Sequence, residues 1–197
     1  MTQQGKNAID LVLAESLIEL SAKKPIDKIT IKEITDKAGV IRPTFYNHFQ
    51  DKYELIEWII KSELLEPIKP LLNAGMIFEA IVLMLNNISA NSVFYKKALK
   101  LEGAVTFNQI AMKCVYEMFM NIINEKSTGK KSKYRWLTPE VISTYYAQSL
   151  CFITEGWIAQ GMDDIEPKEM AEAYMYLITR SMDDILSEPV SYTHLTL

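Results

Sequence analysis

An all-α fold is what this chain predicts, and three observations carry that reading. Apolar residues recur at spacings of three and four almost throughout, while alternating stretches of strand type are hard to find. Glycine and proline number seven each in 197 residues, too few for a loop-rich β protein. An apolar fraction of 49 % supplies a real core, and the length suits one domain or a small domain fused to a larger one.

Taken in order, a first helix is expected over about 7–22, where Ile9, Leu13, Leu17 and Leu20 form one stripe before Pro25 and Asp27 end it in a loop. The stretch "TIKE" reads as a capping box. Thr30 accepts from the amide of Glu33, and Glu33 reaches back to the amide of Thr30. The second helix is short, with Ile31, Ile34 and Ala38 inward and Gly39 at its end, where a left-handed backbone needs no Cβ. A third follows after two or three residues, with Phe45 and Phe49 one turn apart as its buried side and Pro43 in its first turn, where the missing N–H costs little. "DKYE" looks like a second N-terminal box, Asp51 capping and Glu54 returning the bond, and opens a fourth helix over 52–65 that packs through Leu55, Trp58 and Ile59.

Pro67 and Pro70 mark a junction, so residues 1–52 are expected to form a three-helix head, 52–65 a bridging helix and 66–188 a helical bundle. Bundle helices are expected near 76–90, 92–102, 105–125, 139–161 and 167–187, with "EKSTGKKSKYRW" at 125–136 an exposed loop. Thr138-Pro139 and Glu166-Pro167 start the last two. The tail 189–197 carries no helical stripe and is expected to be disordered.

Several functional classes lose ground at once. Cys114 and Cys151 have no CxxC neighbour and form at most one bridge, so free thiols in a reducing cytoplasm are expected and a disulfide scaffold is not. No basic region precedes an apolar run at the start, and the most apolar stretch, "MIFEAIVLML" at 76–85, is broken by Glu79 and too short to span a bilayer. A cytoplasmic protein without membrane contact is the expectation. The chain holds no GxSxG, P-loop or HExxH, and only two histidines, His48 and His194, so an enzyme, a metal site or a cofactor is not expected. A net charge of −4 speaks against nucleic acid only until it is resolved along the chain: residues 1–52 carry +1 and the remainder −5.

The second and third helices, joined by a tight Gly-containing turn, make a helix-turn-helix unit. With Phe45 and Phe49 inward, Arg42, Thr44, Tyr46, Asn47 and His48 are left on or near the outer side. The second helix of such a unit lies in the major groove, its N-terminal residues at the base edges. Tyr46 also admits a packing role, and His48 a local bond.

At this point the first 65 residues resemble the TetR/AcrR family of one-component transcriptional regulators, through "ITIKEITDKAGV" and "RPTFYNHFQDKYELI", with Gly39, Thr44, Tyr46, His48, Phe49 and Lys52 at the family's positions. The wording "TFYNHFQDKYELIEWI" is also similar to the subgroup related to regulators of dihydroxyacetone kinase operons. The resemblance implies that Thr30 and Lys32 touch phosphate or a base edge, and that Arg42, Pro43 and Thr44 face the groove, Arg42 forking onto guanine and Pro43 resting on a thymine methyl. It implies that Tyr46, Asn47, His48 and Lys52 hold the DNA backbone. Ile41 departs from the pattern, standing where the family usually has a polar residue, and is a poor cap.

The resemblance further implies a homodimer through the last two helices, 139–161 and 167–187, where Gly156 and Gly161 let helices approach closely. The partner is a palindromic double-stranded DNA operator, with two recognition helices about 34–36 Å apart. A small-molecule effector, unidentified, is implied to release a repressor from that operator. Met76, Phe78, Met84, Phe107, Met112, Met118 and Trp157 are candidates to line its pocket, though for any single one of them ordinary core is the favoured reading. The alternative is a co-regulator that acts mainly through protein–protein contacts.

Overall fold

The computed structural model describes residues 3–103, 105–126 and 132–187, without the side chains of residues 3–7. The expected tail at 189–197 and most of the 125–136 loop fall outside these residues; Ser132 to Trp136 are exposed. Every described regular element is helical.

The head consists of α1 (Gln3–Ser21), a single 3₁₀ turn (Ile26–Lys28), α2 (Ile31–Ala38) and α3 (Arg42–Tyr46). Its core is built by Leu13 and Leu17 of α1, Ile34 of α2, Phe45 and Phe49, all buried. The capping box of α2 forms as expected, Thr30 N donating to Glu33 Oε2 at 2.9 Å and Glu33 N to Thr30 Oγ1 at 3.3 Å.

The fourth helix, α4 (Lys52–Ile59), starts at Asp51, whose carboxylate accepts from the amides of Tyr53 and Glu54. The reciprocal bond differs from expectation: Glu54 accepts from Gln50 N at 2.5 Å, one residue before the cap. Past Ile59 the helix continues as a π turn, Ile60–Leu65, an extra residue per turn that periodicity does not reveal. The hydrophobic core runs along α4 from head to bundle without a gap, through Leu55, Ile59, Leu64 and Leu65.

The bundle contains α5 (Lys69–Asn73), α6 (Ile77–Ala90), α7 (Ser92–Ala98), α8 (Phe107–Lys126), α9 (Pro139–Ala159), α10 (Pro167–Thr179) and α11 (Met182–Ser187). Two expectations need correction. The helix expected over 92–102 ends at Ala98. The helix expected over 167–187 is two, because Arg180 is extended and Ser181 starts a new capping box, accepting from Asp184 N while its own amide and hydroxyl donate to Asp184 Oδ2.

Glu57 ties α4 to α8: it accepts from Lys61 at 2.7 Å and from Lys113 at 2.8 Å, and Lys61 also pairs with Glu117 at 2.7 Å. Burial raises the pKa of Glu57, but the two ammonium groups outweigh it and hold the carboxyl below its usual range. Cys114 and Cys151 are buried thiols without a disulfide, each pushed by burial up to about 12. Among the described residues no single helix is long and apolar enough to cross a membrane, and no cluster of ligating side chains could hold a metal ion.

Candidate nucleic-acid interface

The candidate reading helix owes its position to the turn before it. Gly39 adopts φ +68°, and the amides of Gly39 and Val40 close onto the carbonyls of Asp36 and Thr35 at the end of α2. The chain then re-enters helix at Arg42 with Pro43 in the first turn. Ile41 is the N-cap residue, offers no side-chain bond and is 68 % exposed.

Behind α3 stands an aromatic support. Phe45 is fully buried against Phe49, ring centroids 5.8 Å apart, and Phe49 meets the edge of Trp58 on α4 at 6.3 Å. Because α3 is anchored from one side only, its opposite side faces outward. Arg42, Pro43, Tyr46 and Asn47 are exposed there and Thr44 is half-exposed. Tyr46 packs its ring edge-on against Phe45 and leaves the rest of its side chain in solvent. Arg42 makes no ion pair with any described residue. These five residues are brought together as the sequence implies.

Thr30 and Lys32 stand at the start of α2 and are less free. The Thr30 hydroxyl is engaged with Glu33, and the exposed Lys32 pairs with Asp36 at 2.5 Å. Lys24 joins the same group. Its ammonium, with the Thr30 amide and hydroxyl, holds the Glu33 carboxyl at about 2.

Two implied DNA contacts are overturned by packing. His48 is not on the outer side: its side chain is 2 % exposed, and Nδ1 is joined to Asp10 Oδ1 of α1 at 2.6 Å. Lys52 has spent its donors internally, giving hydrogen bonds to the carbonyls of Ile26, Asp27 and Ile29 at 3.0, 2.7 and 3.1 Å. Both are bolts, one fixing the end of α3 to α1, the other fixing the start of α4 to the α1–α2 loop. Burial is the leading influence on Lys52 and lowers its pKa, against the attraction of Asp27. A signal was present in the sequence: 45, 48, 49 and 52 fall at helical spacing, so His48 and Lys52 share the stripe of the two phenylalanines.

The candidate pocket residues do not converge either. Met84 and Phe107 line one apolar, partly open cavity between the π turn, α6, α7, α8 and α9. Met76 is exposed at the start of α6, Met118 borders a separate site beside α5, and Trp157 is buried with its indole N–H on Ile165 O at 2.9 Å. Phe78 and Met112 are half-buried packing residues.

Comparison with known proteins agrees with this architecture. Residues 15–59 match the model for bacterial regulatory proteins of the tetR family, and residues 76–180 the model for a TetR transcriptional regulator C-terminal region. An HTH-type dhaKLM operon transcriptional activator, DhaS, of Lactococcus lactis subsp. lactis (strain IL1403), is 26 % identical over 152 residues, 76 % of this chain and 79 % of the relative. Among solved structures, the dihydroxyacetone kinase operon activator DhaS aligns with a TM-score of 0.61 at 21 % identity, over 86 % of this chain and 93 % of its own. NalD of Pseudomonas aeruginosa, the secondary repressor of the MexAB-OprM multidrug efflux pump, aligns at 0.56 with 13 % identity, over 86 % and 94 %. RolR in complex with resorcinol aligns at 0.53 with 18 % identity, over 95 % and 97 %. The likeness to these structures is one of fold. The two matched models together span the head and the bundle, and the chain belongs to the TetR family of bacterial transcriptional regulators.

Proposed function

We propose that the protein is a homodimeric, effector-responsive repressor that occupies a palindromic operator through α3 of each copy. The observation that carries this is the outward side of α3: Arg42, Pro43, Thr44, Tyr46 and Asn47 stand clear of the molecule on a helix pinned by Phe45, Phe49 and the His48–Asp10 bond. Arg42 reads guanine, Pro43 and Thr44 contact base edges, and Tyr46 and Asn47 hold phosphates. Thr30 and Lys32 extend the phosphate contacts, Lys32 by leaving the exposed pair with Asp36.

Dimerisation through α9 and α10 is supported by what those helices leave uncovered. Tyr145, Ser149, Phe152 and Gly156 repeat at spacings of four, three and four, with Phe152 76 % exposed, and Leu177 of α10 is exposed as well. A Cβ at Gly156 would meet no atom within 4 Å, so packing inside one copy does not require glycine there, whereas close approach of a second helix does. Gly161 has another reason to be glycine, a φ of +102° in the turn after α9.

Effector binding in the bundle shifts α4, which joins the head to α8 through the Glu57 ion pairs, and so changes the spacing of the two heads. The test is a gel shift and footprint with the DNA upstream of the protein's own gene. A two-fold-symmetric footprint that weakens with salt supports the reading; sequence-independent binding at micromolar protein removes it. A second reading, activation, is favoured by the name of the relative DhaS, a transcriptional activator. A promoter fusion in a deletion strain separates the two, since expression rises on loss of a repressor and falls on loss of an activator.

A further inference from the structure

Two surfaces at one end of the bundle are left uncovered, and their charges are opposite. α8 runs away from the head: Lys113 meets Glu57 of α4, while Lys126 donates to the Leu72 carbonyl of α5 at 3.2 Å. α9 returns antiparallel, with Asn108 bonded to Glu155 and Phe119 beside Tyr146. The turn that leads into α9, Lys133 to Trp136, therefore stands at the end remote from α3. Its backbone is fixed, since Tyr134 N donates to Ser132 Oγ at 3.2 Å, Leu137 N to Tyr134 O at 3.0 Å and Thr138 N to Trp136 O at 2.9 Å. This turn holds two large aromatics in solvent, Tyr134 61 % and Trp136 74 % exposed. Lys133 and Arg135 form no ion pair with a described residue, although Lys133 lies over the Tyr134 ring at 5.5 Å. Trp, Tyr and Arg are the side chains that dominate protein–protein interfaces. A turn already fixed loses little freedom on binding.

α11 is the complement. Six residues are too few for a helix to hold in water without cover, yet none of its residues is buried. Met182 and Leu186, one turn apart on one side, are 74 % and 76 % exposed. Asp183 beside them forms no ion pair with a described residue. The register of α9 against α10 sets the level of this helix. Ser149 Oγ and Tyr174 Oη are bonded at 3.0 Å, so the antiparallel register carried on puts residues 182–187 level with 136–141. Extended Arg180 takes α11 out of line with α10, and within one copy the two surfaces share an end without covering each other.

Two heads on one face of DNA require a two-fold axis that runs from the operator through both bundles. Such an axis brings the far ends of the two copies together. We infer that α11 of one copy docks on the 133–136 turn of the other, Met182 and Leu186 against Tyr134 and Trp136, and Asp183 with Arg135. Two-fold symmetry makes the contact twice. The inference rests on the homodimer reading and adds to the α9 stripe a clasp outside it. A second copy is the occupant because the chain itself carries both the apolar pair and the opposite charge, at the level where they are needed.

Sedimentation equilibrium and cross-linking of the full chain test it. Trp136→Ala and Leu186→Ala are each expected to raise the dimer dissociation constant about tenfold or more. All these side chains are exposed within one copy, so the variants should keep the far-UV signal of the parent. Arg135→Glu should weaken the dimer about fivefold, and Asp183→Lys added to it should restore most of the loss. A size-tagged Ser132→Cys variant mixed with a Ser187→Cys variant should be joined by a short bis-maleimide more strongly than either variant to itself. A dimeric parent whose dissociation is unmoved by Trp136→Ala and Leu186→Ala, a charge swap that restores nothing, or a mixed pair that links no better than either variant alone overturns the clasp and leaves the α9 dimer standing. A parent that sediments as a monomer removes the homodimer reading, and the clasp with it.

Discussion

His48 stands on the stripe 45, 48, 49, 52 whose remaining members are two buried phenylalanines and a lysine locked onto carbonyls. The turn between the end of α3 at Tyr46 and the start of α4 at Lys52 directs it into the core, and it is tolerated because Asp10 satisfies it at 2.6 Å. His48→Ala leaves the Asp10 carboxylate buried without its partner, so a loss of about 1–3 kcal/mol is expected in urea unfolding. Arg42→Ala is the converse case. Its guanidinium is exposed, so stability should stay within about 0.5 kcal/mol of the parent, while operator affinity should fall by about 1–3 kcal/mol in a titration by fluorescence anisotropy. Glu33 adds a pH dependence of known sign. Its folded carboxyl sits at about 2, below the ordinary glutamate value of 4.5. The contribution is therefore present above about 4.5 and is lost as pH falls through that window towards about 2. Glu33→Gln, which mimics the protonated carboxyl, should therefore lower stability in the neutral region and make little difference near pH 2, flattening the acid limb between the two.

At the scale of elements, what was legible in the sequence is what short-range chemistry decides. "TIKE" and Gly39 announce both ends of α2, because a cap is a bond between residues three apart and a left-handed φ selects glycine locally. By the same logic "SMDD" announces the break before α11, a capping box set within apolar spacing that carries on from α10. The π turn is different in kind. Nothing in "IKSELL" distinguishes it from α-helix, and its register follows from which side chains must reach α6 and α8 at once. The cavity is equally invisible beforehand: Tyr95 and Thr154 are 59 residues apart in sequence and come to line one cavity only through the packing of α7 and α9. Two substitutions at the helix-turn-helix turn should separate conformational from capping effects. Gly39→Ala meets no atom within 4 Å, so its cost is that of the left-handed backbone alone, about 1–2 kcal/mol. Ile41→Ser supplies the cap that α3 lacks and should raise stability by about 0.5–2 kcal/mol, measured by chemical denaturation.

For the whole molecule, the proposed operator binding requires two weakly charged heads to hold DNA together. A head with a charge of +1 has little long-range attraction for phosphate, so one copy alone should bind poorly. Joining two copies turns the second contact into an intramolecular event, which raises overall affinity by about 10²–10⁴-fold when the geometry allows both to engage. The exposed stripe on α9 is the surface that would do the joining, and Phe152 lies at its middle, 76 % exposed and away from the core. Phe152→Glu should therefore leave the fold and its Tm nearly intact while placing a carboxylate against its own copy across a two-fold axis. Sedimentation velocity should report a monomer for this variant and a dimer for the parent. Operator affinity should drop by about 10²–10⁴-fold, while affinity for a single half-site should be unchanged. A variant that remains dimeric would move the interface off α9. A monomer that keeps full operator affinity would mean that the two heads do not act together, and the palindrome would lose its physical reason.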